Sequence, residues 1–451
     1  MKPKLFGSSG IRGLANIDIT HTLAQRIGLA VATINEGCTA VVGRDARLTG
    51  PILEAALTSG INAAGGDVLQ IGLVPTPVTA WTLTETGSDT GIAITASHNP
   101  PPYNGFKIFS KLGLSLTVSE QLQLEEVLEN VKYRFVDWNQ VGITDELDAI
   151  GSYSSMLADN IEIESEYNVA LDCFCGATST LAPLAFSEFP LKSKIINAVP
   201  DGKFPAGDPE PTNESLQRLG EYIKLTESDF GFGFDGDGDR MMPVGSDGKM
   251  VNPDRILAAY AGYVVDRNNG GVIVTHVGAS MSVEDMVRGS GGKVVRTPVG
   301  DAFVSEAMIN HDAVFGGEPV GAWIFPEHHM CPAGVMGALK IIEALEYLDL
   351  TMEEFIESAP EYPINRIKIM CPNQTKQNVM KGVKDNYSEV FKDVQSVNTL
   401  DGIRLETTSG WVLIRQSGTE PLIRITVEGK THQDVESIME KAKKLVKQVI
   451  A

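Results

Sequence analysis

Only five cysteines occur in 451 residues, and of these only Cys173 and Cys175 are near neighbours. That is too few and too scattered for a disulfide framework or for paired CxxC zinc knuckles, so the Cys-x-Cys pair reads as structural packing at a strand end. Basic residues are also scarce: 37 Lys and Arg against 58 Asp and Glu leave a formal net charge of -21. A nucleic-acid partner needs a broad basic surface, which this balance excludes. Any anion that binds must be held by local groups against the overall field. Long apolar runs are missing as well. No segment reaches the roughly 18 unbroken apolar residues of a membrane helix, and Met1-Lys2-Pro3-Lys4-Leu5 opens no apolar stretch. The expectation is a cytoplasmic protein with no membrane partner.

What is present is ordinary for a folded protein, with 43% hydrophobic and 21% charged residues. The length exceeds what one hydrophobic core serves, and about two to four modules are expected, the usual layout of an enzyme with a cleft. Short apolar β-like runs at 40–42, 68–71, 91–95, 169–171, 272–275 and 294–296 alternate with helical spacing near 51–64, 119–130, 252–267 and 333–347. That alternation predicts α/β layering with largely buried strands. Gly65-Gly66-Asp67-Val68 and Gly291-Gly292-Lys293-Val294 form a weak internal echo, each leading into a strand and a proline turn. From 363 onward the pattern changes. Strands at 411–415 and 422–427 precede a helix whose apolar positions are Val435, Ile438, Met439, Ala442, Leu445, Val446 and Val449, so a smaller α+β module closes the chain. Proline- and glycine-rich turns near 200–211 and 359–364 are candidate seams.

Four loops carry chemistry. The first, Thr95 to Lys107, follows a β-like run and holds Ser97, His98 and Lys107 in a proline-stiffened segment. A serine there can carry a phosphoryl group, with a histidine and a lysine to manage charge and protons; alone, the segment equally fits a tight proline turn with a solvated histidine. The second is Asp235-Gly236-Asp237-Gly238-Asp239-Arg240, after another β-like run. Carboxylates at alternate positions of an extended chain point to one side, the intervening glycines let the backbone bend toward a shared centre, and three hard oxygen donors suit Mg²⁺. An EF-hand starting at Asp235 would need glycine sixth and glutamate twelfth, where the chain has Arg240 and Ser246. The GxGxxG pattern from Gly231 to Gly236 runs into acidic residues that would repel a pyrophosphate. The third loop, Gly316-Gly317-Glu318-Pro319-Val320-Gly321, presents a carboxylate able to accept from vicinal sugar hydroxyls, though an ordinary exposed turn also accounts for it. The fourth, Arg415-Gln416-Ser417-Gly418-Thr419-Glu420-Pro421 with Arg424 beyond it, has the arginines, hydroxyls and backbone amides of a phosphate cradle.

Together and in this order, the loops resemble those of the α-D-phosphohexomutase superfamily, which includes phosphoglucomutase, phosphomannomutase and phosphoglucosamine mutase. The resemblance starts with Phe6-Gly7-Ser8-Ser9-Gly10-Ile11-Arg12-Gly13 and ends at the fourth loop, covering nearly the whole chain. It implies a four-domain α/β architecture around a central cleft: three similar α/β domains, 1–150, 151–250 and 251–362, and a smaller C-terminal α+β domain, 363–451. It also implies that Ser97 is the phosphoserine and that Asp235, Asp237 and Asp239 hold Mg²⁺ with a Ser97 phosphate oxygen. Arg12 and Arg240 would serve the transferring phosphoryl group, and His98 and Lys107 charge or proton transfer. Glu318 would bind the sugar, and Arg415, Ser417, Gly418, Thr419 and Arg424 the phosphate that is not reacting. A hexose bisphosphate would be both intermediate and activator.

The sugar loop departs from many relatives, with Val320 for a serine and Ala322 for a histidine, so only Glu318 carries over there. His328 and His329 are candidates to replace the missing imidazole. The Val299-Gly300-Asp301 pattern, and Trp323-Ile324 with Pro326, look like archaeal-type phosphoglucosamine mutases. The implied reaction is interconversion of glucosamine 6-phosphate and glucosamine 1-phosphate, with phosphoglucomutase/phosphomannomutase activity the alternative. A metal-dependent phosphatase would share the acidic cluster but release phosphate to water, and a non-catalytic sugar-phosphate binder would lack one of the reacting groups, all of which this chain keeps.

Overall fold

The computed structural model describes residues 3–7, 10–417 and 421–450, in two compact units. The first takes in the chain to Pro253 together with Gly300–Ile356. At its start, a seven-stranded sheet runs in the order Phe6–Gly7, Gly10–Leu14, Tyr103–Ser110, Thr90–Ile94, Thr39–Arg44, Asp67–Leu73, Thr144–Glu146. Thr39–Arg44 is parallel to both Asp67–Leu73 and Thr90–Ile94, while Tyr103–Ser110 returns antiparallel. The central strands are apolar on both faces, as buried strands between helices must be. Helices His21–Ile34 and Gly50–Ala63 cross at glycine: a methyl on Gly28 would lie 2.2 Å from the Leu57 carbonyl oxygen, and one on Gly60 the same distance from that of Gln25. Ile27, Leu53, Leu57 and Ile61 pack with Ala40, Val42, Ile92 and Ile94 into one core. Helix Val118–Asn130 starts at a reciprocal cap in which Thr117 and Glu120 satisfy each other's backbone amides.

A second sheet in this unit, ordered Met241–Val244, Phe230–Phe234, Asn168–Asp172, Lys192–Ile196, has three parallel strands and one antiparallel return. Both Thr90–Ile94 and Phe230–Phe234 therefore deliver their following loops at the carboxyl end of parallel strands, where open α/β sheets bind ligands. The short pair Phe315–Gly317 and Trp323–Ile324 frames the glycine-rich loop between them.

In the second unit, which takes in Asp254–Val299 and Glu357 onward, the strands Val272–His276 and Lys293–Thr297 run parallel. An antiparallel five-stranded sheet, ordered Ile364–Met370, Leu422–Gly429, Gly410–Gln416, Ile403–Thr407, Val394–Asn398, packs against helices Lys376–Val390 and His432–Ile450. The last helix buries Val435, Ile438, Met439, Ala442, Leu445 and Val446, the stripe expected from its spacing. Arg404, buried with its guanidinium 3.9 Å from the centre of the Trp411 ring, donates to the carbonyls of Val277 and Ala279.

Candidate active site

Ser97 is fully buried and holds a left-handed backbone, φ 51°, which a non-glycine residue adopts only when its surroundings impose it. The agent is Arg47, itself fully buried. Its Nε donates to Asp45 at 3.0 Å, Nη1 to the carbonyls of Pro100 and Tyr103 at 2.8 Å each, and Nη2 to those of Ser97 and Asn99 at 2.8 and 2.6 Å. All five guanidinium donors are thus spent on one loop and its anchor. Asp45 also accepts from Thr95 Oγ1 at 2.7 Å, and Thr95 Oγ1 accepts from the Ser97 amide at 2.8 Å. Asp45, Arg47 and Thr95 escaped the reading of the sequence, although the charged Asp45-Ala46-Arg47 step after a buried strand is a visible signal.

Held this way, Ser97 Oγ donates to Asp235 Oδ2 at 2.8 Å and lies 3.2 Å from His98 Nδ1. Burial, then the charges of Arg240 and Arg12, lower the His98 imidazole to about 3, so it is neutral. Asp235, Asp237 and Asp239 each place a carboxylate oxygen within 4.8 Å of the others. They converge through a tight turn rather than from one side of an extended strand, since Phe230–Phe234 has ended and Gly238 takes φ 71°. Lys107 lies on strand Tyr103–Ser110, past the prolines of its segment, and its Nζ donates to Asp237 Oδ2 at 2.7 Å and Asp239 Oδ2 at 2.5 Å. Thr76, which no local pattern announced, donates to Asp237 Oδ2 at 2.6 Å.

The charges are uneven. Burial, then Asp239 and Asp237, push the Asp235 carboxyl well above its usual range. Burial would raise Asp237 too, but the Lys107 ammonium, its hydrogen bond and that of Thr76 outweigh it and hold Asp237 below the carboxylate range. Asp237 Oδ1 and Asp239 Oδ1 are buried and accept no hydrogen bond. Three convergent carboxylates with two unsatisfied buried oxygens fit a hard divalent cation such as Mg²⁺. Arg12, on strand Gly10–Leu14, donates to Asn99 at 3.3 Å, and Arg240 lies 3.8 Å from Asp239.

Glu318 is buried, not the tip of an exposed turn. Its Oε1 accepts from the Gly300 amide at 3.0 Å, and burial followed by the charge of Asp301 raises its carboxyl to about 7. The loop reaches the metal turn through the Met241 amide, which donates to the Gly321 carbonyl at 3.2 Å; a methyl on Gly321 would meet the Met241 carbonyl oxygen at 1.8 Å. The side chain of Val320 is exposed and Ala322 is buried. His329 is engaged elsewhere, its Nε2 2.9 Å from the Tyr153 hydroxyl in a buried contact, while His328 Nε2 lies 3.7 Å from Glu327.

In the second unit, Arg415 and Arg424 stand directly opposite each other on paired strands, and Arg415 reaches Asp401 at 3.2 Å. Like charges in register repel, so the pair suits an anion. Ser417 is buried and its carbonyl accepts from Lys376 Nζ at 2.8 Å. Gly418 and Thr419 lie outside the described residues. Both Cys173 and Cys175 are buried free thiols, and among the described residues the aspartate trio is the sole cluster with metal-ligand spacing.

Four segments match the phosphoglucomutase/phosphomannomutase domains: alpha/beta/alpha domain I at 3–135, domain II at 151–248, domain III at 252–362 and the C-terminal domain at 367–445. A probable phosphoglucosamine mutase of Pyrococcus abyssi is 38% identical over 99% of this chain and 98% of its own length. The phosphoglucosamine mutase of Methanocaldococcus jannaschii is 38% identical over 99% of each. A phosphoglucomutase/phosphomannomutase family protein of Burkholderia thailandensis has a solved structure that superposes with a TM-score of 0.90 at 26% identity, covering 99% of this chain and 97% of that one. With four matched domains and relatives similar from end to end, this four-domain α/β chain belongs to the phosphoglucomutase/phosphomannomutase family of the α-D-phosphohexomutase superfamily.

Proposed function

We propose that this enzyme interconverts glucosamine 6-phosphate and glucosamine 1-phosphate through a phosphorylated Ser97 and a sugar bisphosphate. The observation that carries the reading is Ser97 Oγ held 2.8 Å from Asp235 inside the aspartate trio, in a chain 38% identical to a phosphoglucosamine mutase. Phospho-Ser97 gives its phosphoryl group to the free hydroxyl of the sugar monophosphate: the serine ester P–O bond breaks, a sugar ester P–O bond forms, and the hydroxyl proton is relayed by His98 to the departing Ser97 Oγ, 3.2 Å from His98 Nδ1. The bisphosphate then reverses and returns its other phosphate to Ser97. Burial would lower Lys107, but the charges of Asp237 and Asp239 outweigh it and keep the ammonium protonated, so it supplies positive charge rather than accepting a proton.

Arg12 and Arg240 flank the phosphoryl group, while Glu318 accepts from the sugar hydroxyls. Arg415, Ser417, Gly418, Thr419 and Arg424 hold the phosphate that is not reacting. Asp235, Asp237 and Asp239 with a Ser97 phosphate oxygen would hold Mg²⁺, which when bound offsets the charge of the transferring group. In this reading each of the modules 1–150, 151–250, 251–362 and 363–451 brings one loop, and the enzyme works in the cytoplasm, in keeping with its five free thiols.

The test is phosphorus NMR of the purified protein with Mg²⁺ and a trace of hexose bisphosphate, run in parallel on glucosamine 6-phosphate, glucose 1-phosphate and mannose 1-phosphate. Fastest isomerisation of the glucosamine ester, with total ester conserved, is expected. Faster turnover of glucose or mannose phosphate replaces the substrate, and steady release of inorganic phosphate points to a phosphatase.

A further inference from the structure

We infer that Thr76 is a positioning residue for the metal: its hydroxyl holds one oxygen of Asp237 so that the other is left for the cation. This rests on the metal reading of the aspartate trio proposed above and deepens it. The backbone of that turn is fixed from outside. The amides of Ala177, Thr76 and Gly334 donate to the carbonyls of Gly236, Asp237 and Gly238 in turn, at 3.0, 2.8 and 3.0 Å. Each donor stands at the start of a helix, Thr178–Ser187, Thr76–Glu85 and Gly334–Leu348, so the positive ends of three helices meet the acidic turn. A methyl on Gly334 would lie 2.5 Å from the Arg240 carbonyl oxygen, so the third helix comes this close only through glycine.

With the backbone fixed, the freedom that remains to Asp237 is rotation of its carboxylate. Oδ2 accepts from Thr76 Oγ1 at 2.6 Å and from Lys107 Nζ at 2.7 Å, while Oδ1 is buried and accepts no hydrogen bond among the described residues. The two donors are not equivalent. Lys107 Nζ is shared with Asp239 Oδ2 at 2.5 Å and brings a positive charge, which repels a cation. Thr76 is buried, bonds Asp237 through both its amide and its hydroxyl, and adds no net charge. It therefore orients the carboxylate without competing with the metal, as hydrogen-bond partners of ligating carboxylates do.

The experiment titrates Mn²⁺ into the full-length protein, read from the paramagnetic resonance of the free ion, in the wild type, Thr76→Val, Thr76→Ala, Thr76→Ser and Asp237→Asn. Valine keeps the shape and the backbone amide and removes the hydroxyl; alanine removes the hydroxyl and makes no demand on space. Both should weaken Mn²⁺ binding about tenfold, and Thr76→Ser should return it to within about threefold of the wild type. In turnover, Thr76→Val should need about tenfold more Mg²⁺ for half-maximal rate, yet recover kcat once Mg²⁺ saturates. A merely structural role would lower kcat at every Mg²⁺ concentration and leave Mn²⁺ affinity unchanged in the folded protein, and that pattern overturns the inference. Unchanged affinity in Thr76→Val and Thr76→Ala beside weakened binding in Asp237→Asn overturns the inference and leaves the metal reading standing. Unchanged affinity in Asp237→Asn as well overturns both.

Discussion

In the proposed function, the centre around Ser97 and the facing pair Arg415 and Arg424 handle the same chemical group by opposite means. Around Ser97 charges are buried, donors are exhausted and the serine backbone is held at φ 51°. At the arginine loop, Arg415 and Arg424 sit on regular antiparallel strands, and Arg415 keeps about a quarter of its side chain in solvent beside Asp401. A group that breaks bonds must meet its partner in one geometry, and rigid positioning supplies much of the rate. A group that only holds a phosphate must release it, and a half-buried arginine pair serves for that. The difference predicts how each region fails when altered.

Ser97→Ala tests the comparison most severely. With no acceptor, isomerisation should drop by at least about 10⁴-fold while sugar-phosphate binding survives, which turnover and isothermal titration will show side by side. Full turnover in this variant would end the phosphoserine mechanism. Arg47→Met comes next. It leaves Asp45 buried without its ion-pair partner and four carbonyl acceptors unmet, which costs about 3–5 kcal/mol of stability. In urea titration the midpoint should fall, and in the fraction still folded kcat should drop with KM little changed. A wild-type kcat would mean that the strained serine loop holds itself.

Much of this was legible in the sequence. Periodicity marked the closing helix because its apolar stripe is a local property, and the aspartate cluster was legible because its three carboxylates lie within a few consecutive residues. What was not legible depends on long-range contact. Thr76 meets Asp237 across 161 positions and Arg47 meets Ser97 across 50, and no window of sequence shows either. His329 misled for the same reason: its partner Tyr153 lies 176 positions away. Glu318 was misjudged as an exposed turn because composition resembles a turn whether or not other segments cover it.

Glu318 sharpens the comparison from the side of the sugar. Its carboxyl is raised to about 7 from an ordinary 4.5, so the native state holds the proton more tightly than the unfolded chain does. Its contribution to stability is therefore fully present below pH 4.5 and is lost as pH rises through about 7. Glu318→Gln removes that titration. Between pH 4.5 and 8 the variant should gain on the wild type by about 3 kcal/mol, read from denaturant midpoints at each pH. Parallel profiles for the two proteins would show that Glu318 ionises normally.

Asp237→Asn, which removes one anionic ligand, should lower kcat by about 10²-fold and raise the Mg²⁺ needed for half-maximal rate. Unchanged magnesium dependence would take Asp237 out of the metal site.

The smallest effect is expected in the other region. Arg415→Ala removes one of two facing cations, so KM for the monophosphate should rise about tenfold, as expected for one charge-assisted contact, with kcat within about threefold. Folding stability should not fall with it. The ion pair with Asp401 is partly exposed and worth little, and truncating Arg415 also relieves its repulsion with Arg424 across the strands. A large loss of kcat, or of stability, would mean that this loop is as rigidly built as the serine centre.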